Sequence, residues 1–183
     1  MKNEYGYLHI IMGPMFSGKT SRLINLYELL KVNNEVLTIN HTLDNRYGVN
    51  KISTHDKREI PCYNFKKLRE IYDNDNLLVN SNIIMINEAQ FFEDLYEIVI
   101  ILVERYKKHV YLCGLDGDYR QRPIGKILDL IPFSNNIEKL NGMCTYCINP
   151  SIYSKRISNQ EGQIVVGNDN YVPTCRNCFY KED

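Results

Sequence analysis

Residues 13–20 read GPMFSGKT and satisfy every fixed position of the pattern G-x-x-x-x-G-K-[ST]. No other feature constrains the fold so tightly. A loop of this kind must wrap its amides around a phosphate group between a buried strand and the start of a helix. Gly13 and Gly18 allow the tight wrap, and Pro14, Met15, Phe16 and Ser17 carry the intervening backbone past the nucleotide. Lys19 places a point charge on the β- and γ-phosphates, Thr20 offers its hydroxyl to Mg²⁺, and the helix start adds its positive dipole end. The flanks meet the requirement. Tyr7–Met12 is nearly all apolar, as in a strand covered on both faces, and Leu23, Leu26, Tyr27 and Leu30 then repeat at one-face helical spacing. The motif implies a bound nucleotide such as ATP. Alone, it does not separate a kinase from an ATPase or a GTPase.

The pattern continues with apolar runs at Glu35–Asn40, Ile83–Ile86 and Val110–Leu115, and with a helical face formed by Leu95, Ile98, Val99, Leu102 and Tyr106. Strands alternating with helices predict an α/β fold: a mostly parallel sheet flanked by helices, as in phosphate-loop NTPases. Residues 41–61 are polar and without periodicity, which predicts a long, mobile connection. The α/β pattern stops near Gly142, so two units are expected, an ATP-binding domain over 1–141 and a small lobe over 142–183.

The run INEAQFF closes the third strand at its carboxyl end, where open α/β sheets meet their ligands. Many phosphate-loop proteins place an Asp here to hold Mg²⁺. This chain has Asn87, which offers a carbonyl oxygen without the charge, so weaker Mg²⁺ retention is expected. Glu88 follows. A carboxylate beside the γ-phosphate can accept the proton of an attacking hydroxyl, or it can serve as a metal ligand or a helix-start charge. Phe91 and Phe92 read as core, with ring stacking on a ligand as the lesser alternative.

Four of the six cysteines form two Cys-x-x-Cys pairs, Cys144/Cys147 and Cys175/Cys178. Four thiolates are the closed ligand set of a structural zinc site. Residues 148–174 between the pairs exceed the roughly 15–20 residues of common zinc ribbons, and so form a loop tethered at both ends. Paired thiols and an N-terminus without the features of a secretory signal point to a reducing, cytoplasmic setting. Basic and acidic residues balance at 22 each, which disfavours a nucleic-acid partner, and no run reaches the roughly 20 apolar residues that span a bilayer. His9, His41, His55 and His109 read as structural or surface residues.

The combination GPMFSGKT, NEAQFF, LDGDYRQRPIG (115–125) and the paired cysteines, in this order from about Leu8 to Tyr180, resembles the type II thymidine kinases. The resemblance implies ATP-dependent phosphorylation of the thymidine 5′-hydroxyl to give dTMP, a salvage step that feeds DNA synthesis. A broader deoxynucleoside kinase, or a nucleotide-binding relative impaired by Asn87, stands as the alternative. By the same resemblance Glu88 is the general base, with Lys19 and Arg46 (in DNRYG) stabilising the transferring phosphoryl group and Asp44 near metal or base. Met15, Leu115, Tyr119 and Ser154 line the nucleoside site. The zinc-tethered segment becomes a lasso-like loop closing over the base through Ile164, Gly167 and Tyr171. Four positions depart from the family: Asn87 for Asp, Tyr119 for Phe, Ser154 for Thr, and Val166-Gly167 where Gly-Gly is common. A homotetramer is expected by analogy.

Overall fold

The computed structural model describes residues 4–44, 48, 50–163, 165 and 167–181. Six apolar or edge segments assemble into one sheet: β1 (Tyr7–Met12), β2 (Val36–His41), β5 (Tyr63–Phe65), β6 (Ile83–Ile86), β7 (His109–Gly114) and β8 (Asn136–Lys139). Their order is β5-β2-β6-β7-β1-β8, and every pairing is parallel. A parallel sheet needs cover on both faces, and the strand pleat supplies it. Ile10, Ile84 and Leu112 point to one face, where Leu95, Ile98 and Val99 of α3 (Leu95–Ile100) pack with Ile127 and Leu130. Ile11, Met85 and Cys113 point to the other, where Leu23, Leu26 and Leu30 of α1 (Lys19–Leu30) close the layer. The remaining α2 (Asp75–Asn80) and the short 3₁₀ turns lie in the connections.

Beyond the sheet the chain forms two small ribbons. β9 (Gly142–Met143) pairs antiparallel with β10 (Pro150–Ser151), and β11 (Tyr153–Arg156) with β12 (Tyr171–Thr174); α4 (Arg176–Phe179) follows. These ribbons pack on the phosphate loop. A Cβ on Gly142 would lie 2.8 Å from the Phe16 carbonyl oxygen, so only glycine lets the two backbones meet.

Two expectations change. Residues 41–61 are not a featureless connection: β3 (Lys51–Ser53) and β4 (Glu59–Pro61) pair antiparallel, and Ile52, Ile60 and Cys62 bury themselves against Ile24 of α1. Three-residue strands are too short to print a period on the sequence. The buried face of α3 runs on through Leu102 but leaves out Tyr106. Residues Ile101–Arg105 form a π turn, closed by the Tyr106 amide donating to the Ile101 carbonyl at 3.1 Å, and this leaves Tyr106 exposed. The second and fourth strands each sit one residue from their sequence-based bounds.

Candidate active site

The carboxyl ends of β1, β6 and β7 converge on a cavity of about 410 Å³, a volume suited to a small-molecule ligand. Its floor is the phosphate loop. Gly18 adopts φ 81°, and Gly13 is fixed by close approach: a Cβ there would stand 2.2 Å from the Leu140 carbonyl oxygen. Met15, Phe16, Ser17, Gly18, Lys19 and Thr20 all line the cavity, whereas Gly13 is not among its lining residues and Pro14 faces a second hollow. Lys19 Nζ donates to the Pro14 carbonyl at 2.7 Å, folding the side chain back over its own loop.

The end of β6 forms one wall. Glu88 lines the cavity in a left-handed backbone conformation, φ 50° and ψ 40°, a state that costs a non-glycine residue on the order of 1–3 kcal/mol. Gln90 holds it there. This residue is 4% exposed; its Nε2 donates to Glu88 Oε2 at 2.6 Å and its Oε1 accepts from the Leu115 amide at 3.0 Å. One amide side chain thus ties the end of β6 to the end of β7. Gly114 and Gly125 crowd it so closely that a Cβ would fall 2.5 Å from Gln90 Oε1 and 2.2 Å from its carbonyl oxygen, respectively.

Asn87, 2% exposed, donates from Nδ2 to Asn40 Oδ1 at 3.0 Å, and Asn40 in turn donates to Asp44 Oδ2 at 3.2 Å. Asn87 Oδ1 is buried with no hydrogen-bond partner among the described residues. An orphaned acceptor beside a phosphate loop fits a water of a hydrated Mg²⁺, which donates to such an oxygen. Cys113 also lines the cavity, but burial pushes its thiol up to about 12, so it is no nucleophile at neutral pH.

The opposite wall comes from Leu115, Tyr119, Ser154, Gly167 and Tyr171. Ser154 Oγ accepts from the Met15 amide at 2.9 Å, so this hydroxyl fastens β11 to the phosphate loop. The Tyr119 ring carries the Arg156 guanidinium 3.7 Å from its centroid. Arg46 and Ile164 lie outside the described residues. Phe92 is buried in the core as expected, while the half-buried Phe91 reaches the cavity. The roles of Gln90, Asn40, Asp118 and Arg156 did not emerge from the sequence. Gln90 stood inside a quoted motif, yet nothing local shows that its partners lie on two different strands.

Below this wall the sulfurs of Cys144, Cys147, Cys175 and Cys178 all lie within 4.8 Å of one another. Cys147 Sγ is 3.7 Å from both Cys175 and Cys178, far beyond a disulfide bond of about 2.05 Å. Zinc bound tetrahedrally at about 2.3 Å from each sulfur would set edges of about 3.8 Å, so the cluster fits Zn²⁺.

The thymidine kinase family model matches residues 6–179. The chain belongs to the thymidine kinase family. It is 38% identical over 183 residues to the thymidine kinase of Yaba monkey tumor virus, covering 99% of this chain and 98% of that one. The thymidine kinase of sheeppox virus is 32% identical over 181 residues, spanning 98% and 99% of the two chains. That of rice is 34% identical over 93% of this chain and 65% of its own length. A chain from the crystal structure of Bacteroides Pif1 bound to ssDNA aligns at TM-score 0.34 and 16% identity, over 70% of this chain and 33% of that one, too slight a likeness to carry an argument. The family's reaction, phosphate transfer to thymidine, needs a phosphate cradle and a nucleoside pocket to share one cavity. No helix among the described residues is long and apolar enough to cross a membrane.

Proposed function

We propose that this chain transfers the γ-phosphate of ATP to the 5′-hydroxyl of thymidine, with Glu88 as general base. The observation that carries this reading is the placement of the Glu88 carboxylate, held by Gln90, on the wall of the cavity floored by the phosphate loop. Amides of residues 13–20 bind and orient the phosphates. Lys19 turns from the Pro14 carbonyl to the β- and γ-oxygens, and Arg46 joins it as charge develops on the transferring group. Glu88 accepts the hydroxyl proton as the oxygen attacks. Mg²⁺ bound with ATP neutralises phosphate charge, Thr20 being the residue that would hold it and Asn87 Oδ1 the acceptor for its water.

The nucleoside lies between Met15, Leu115 and Tyr119 on one side and the segment through Ile164, Gly167 and Tyr171 on the other. Covering it excludes water, which would otherwise consume ATP. Cys144, Cys147, Cys175 and Cys178 would hold zinc and thereby tie both ends of that segment. Two units, 1–141 and 142–183, divide these tasks. Reduced thiols agree with a cytoplasmic location, and family likeness supports a homotetramer, which sedimentation would measure.

The test is Mg²⁺-dependent transfer from labelled ATP to a panel of nucleosides, with Glu88→Gln alongside. Thymidine monophosphate is expected from the parent, with kcat lower by about 10²–10⁴-fold in the variant. Preferred transfer to another deoxynucleoside would move the specificity while keeping the mechanism. Tight binding of ATP and thymidine without any product would identify a non-catalytic relative.

A further inference from the structure

The described residues between β11 and β12 have little apolar burial of their own, yet Gln163, Val165 and Gly167 reach the cavity wall. One side chain accounts for much of this. Arg156, the last residue of β11, donates from Nη1 to the carbonyls of Gln160 and Gly162 at 3.1 and 2.6 Å. From Nη2 it donates to the Gln163 carbonyl at 3.2 Å and to the Tyr171 hydroxyl at 2.6 Å. All four terminal N–H groups are engaged. The flat face of the same guanidinium lies over the Tyr119 ring, 3.7 Å from its centroid, in cation–π contact. A second fastening runs parallel to it: Gln163 Nε2 donates to Asp118 Oδ2 at 2.9 Å, while Asp118 Oδ1 accepts the amides of Arg120 and Arg122 at 2.8 and 2.9 Å.

We propose that Arg156 is a positioning residue that preforms the nucleoside-covering segment and latches it to Tyr119, on the loop that follows β7. The proposal rests on the reading above that residues 157–170 cover the nucleoside. Carbonyl oxygens turned toward one centre repel each other in the absence of a cation. A planar fork satisfies several at once and still offers its face to an aromatic ring, which the single ammonium of a lysine cannot do. Gly162, at φ 101°, supplies a backbone turn that brings one carbonyl inward, a conformation a residue with a Cβ resists. Without the latch, thymidine would have to order the segment itself, so nucleoside affinity falls while phosphate transfer, once bound, proceeds as before. ATP binding rests on a different wall and stays unchanged.

Arg156→Lys and Tyr119→Leu test this, singly and together, in the zinc-loaded full chain. Amide hydrogen exchange of residues 157–170 is read without nucleoside, and steady-state kinetics are read with thymidine and ATP. Each single variant is expected to speed exchange in the segment, and Arg156→Lys to raise the thymidine KM on the order of tenfold, with kcat and ATP KM within about threefold; Tyr119→Leu, which also alters the nucleoside wall, is read by exchange alone. Combined, the two should speed exchange little more than the larger single variant does, because both break one latch. Unchanged exchange in a folded, zinc-loaded Arg156→Lys protein overturns the proposal, as do additive effects in the double variant. Should Arg156→Lys fail to fold, Tyr119→Leu decides by the same exchange readout. Exchange also separates this idea from the activity it rests on: a parent that phosphorylates another nucleoside still shows the latch, and one that phosphorylates thymidine with an indifferent Arg156 does not.

Discussion

The two walls of the cavity are held by different physics. On the phosphate side, the loop hangs from β1 and α1, within a parallel sheet whose faces are sealed by residues such as Ile84 and Leu23, and backbone hydrogen bonds run in register across six strands. Hydrophobic burial there is spread over many residues, so no single one is indispensable. On the nucleoside side, ribbons of two to four residues enclose almost no apolar core. Shape there depends on a few strong contacts: four cysteines, one guanidinium and one carboxylate. Distributed burial suits a cradle that must stay rigid under a highly charged ligand, whereas concentrated polar contacts suit the proposed role of a cover that admits and releases a nucleoside. The walls touch at Met15–Ser154 and at Phe16–Gly142.

The strongest challenge to this contrast is removal of the metal. Cys175→Ser should abolish zinc binding, raise the thymidine KM by about a hundredfold or more, and leave the ATP dissociation constant nearly unchanged, since structural zinc contributes roughly 10–16 kcal/mol of binding free energy to the lobe it organises. Metal content and nucleotide titration read it. Equal loss of ATP binding would mean that Ser154, rather than the sheet, holds the phosphate loop. Next comes the sheet itself. Ile84→Ala, at a fully buried position between β2 and β7, should lower the unfolding free energy by about 2–5 kcal/mol in denaturant titration, with both substrate KM values intact below the transition.

Gln90→Leu probes the seam where catalysis meets the sheet. It removes the hydrogen bond that Gln90 gives the Glu88 carboxylate and takes the acceptor from the Leu115 amide, so a loss of about 1–3 kcal/mol in stability is expected, together with a fall in kcat larger than any change in ATP affinity. A variant that turns over normally would show that Glu88 needs no support.

The smallest effect is acid sensitivity, and it belongs to the sheet. Burial pushes His9, His41 and His109 below the ordinary 6.5, and at His9 this outweighs Glu138 at 2.9 Å. The folded state therefore binds fewer protons than the unfolded chain. Stability is complete above pH 6.5 and declines as pH falls from there toward the lower folded values. Glu138, held below 4.5 chiefly by its hydrogen bond from Arg22, adds a loss of the same sign further down. Melting temperature at pH 7.5 against 5.5, with zinc in excess, should show the decline; a rise would contradict it.

What could be read before the structure follows the same division. Long apolar strands and the phosphate loop leave local patterns, since one buried face repeats every second or every 3.6 residues. The hairpin of β3 and β4 and the edge strands β5 and β8 were not legible, because three or four residues with mixed exposure carry no period. Tyr106 was placed on a helical face that a π turn removes. In the site, the motif residues line one cavity, but the atoms that orient them are distant in sequence. Gln90 reaches Leu115, Met15 reaches Ser154, and Asp118 reaches Gln163.

The sequence by itself determined the phosphate cradle, the parallel α/β sheet and the paired thiols, since each is written in the spacing of neighbouring residues, and its motifs taken together carried the resemblance to the kinase family. Only the tertiary structure decided that Gln90 meets Glu88, that Asn87 turns one amide to Asn40 and leaves its oxygen without a partner among the described residues, and that Arg156 binds the carbonyls of Gln160, Gly162 and Gln163 while lying over Tyr119. Hydrogen bonds between side chains depend on which segments the core brings within about 3 Å, and that distance is fixed by packing across the whole chain rather than by any local pattern.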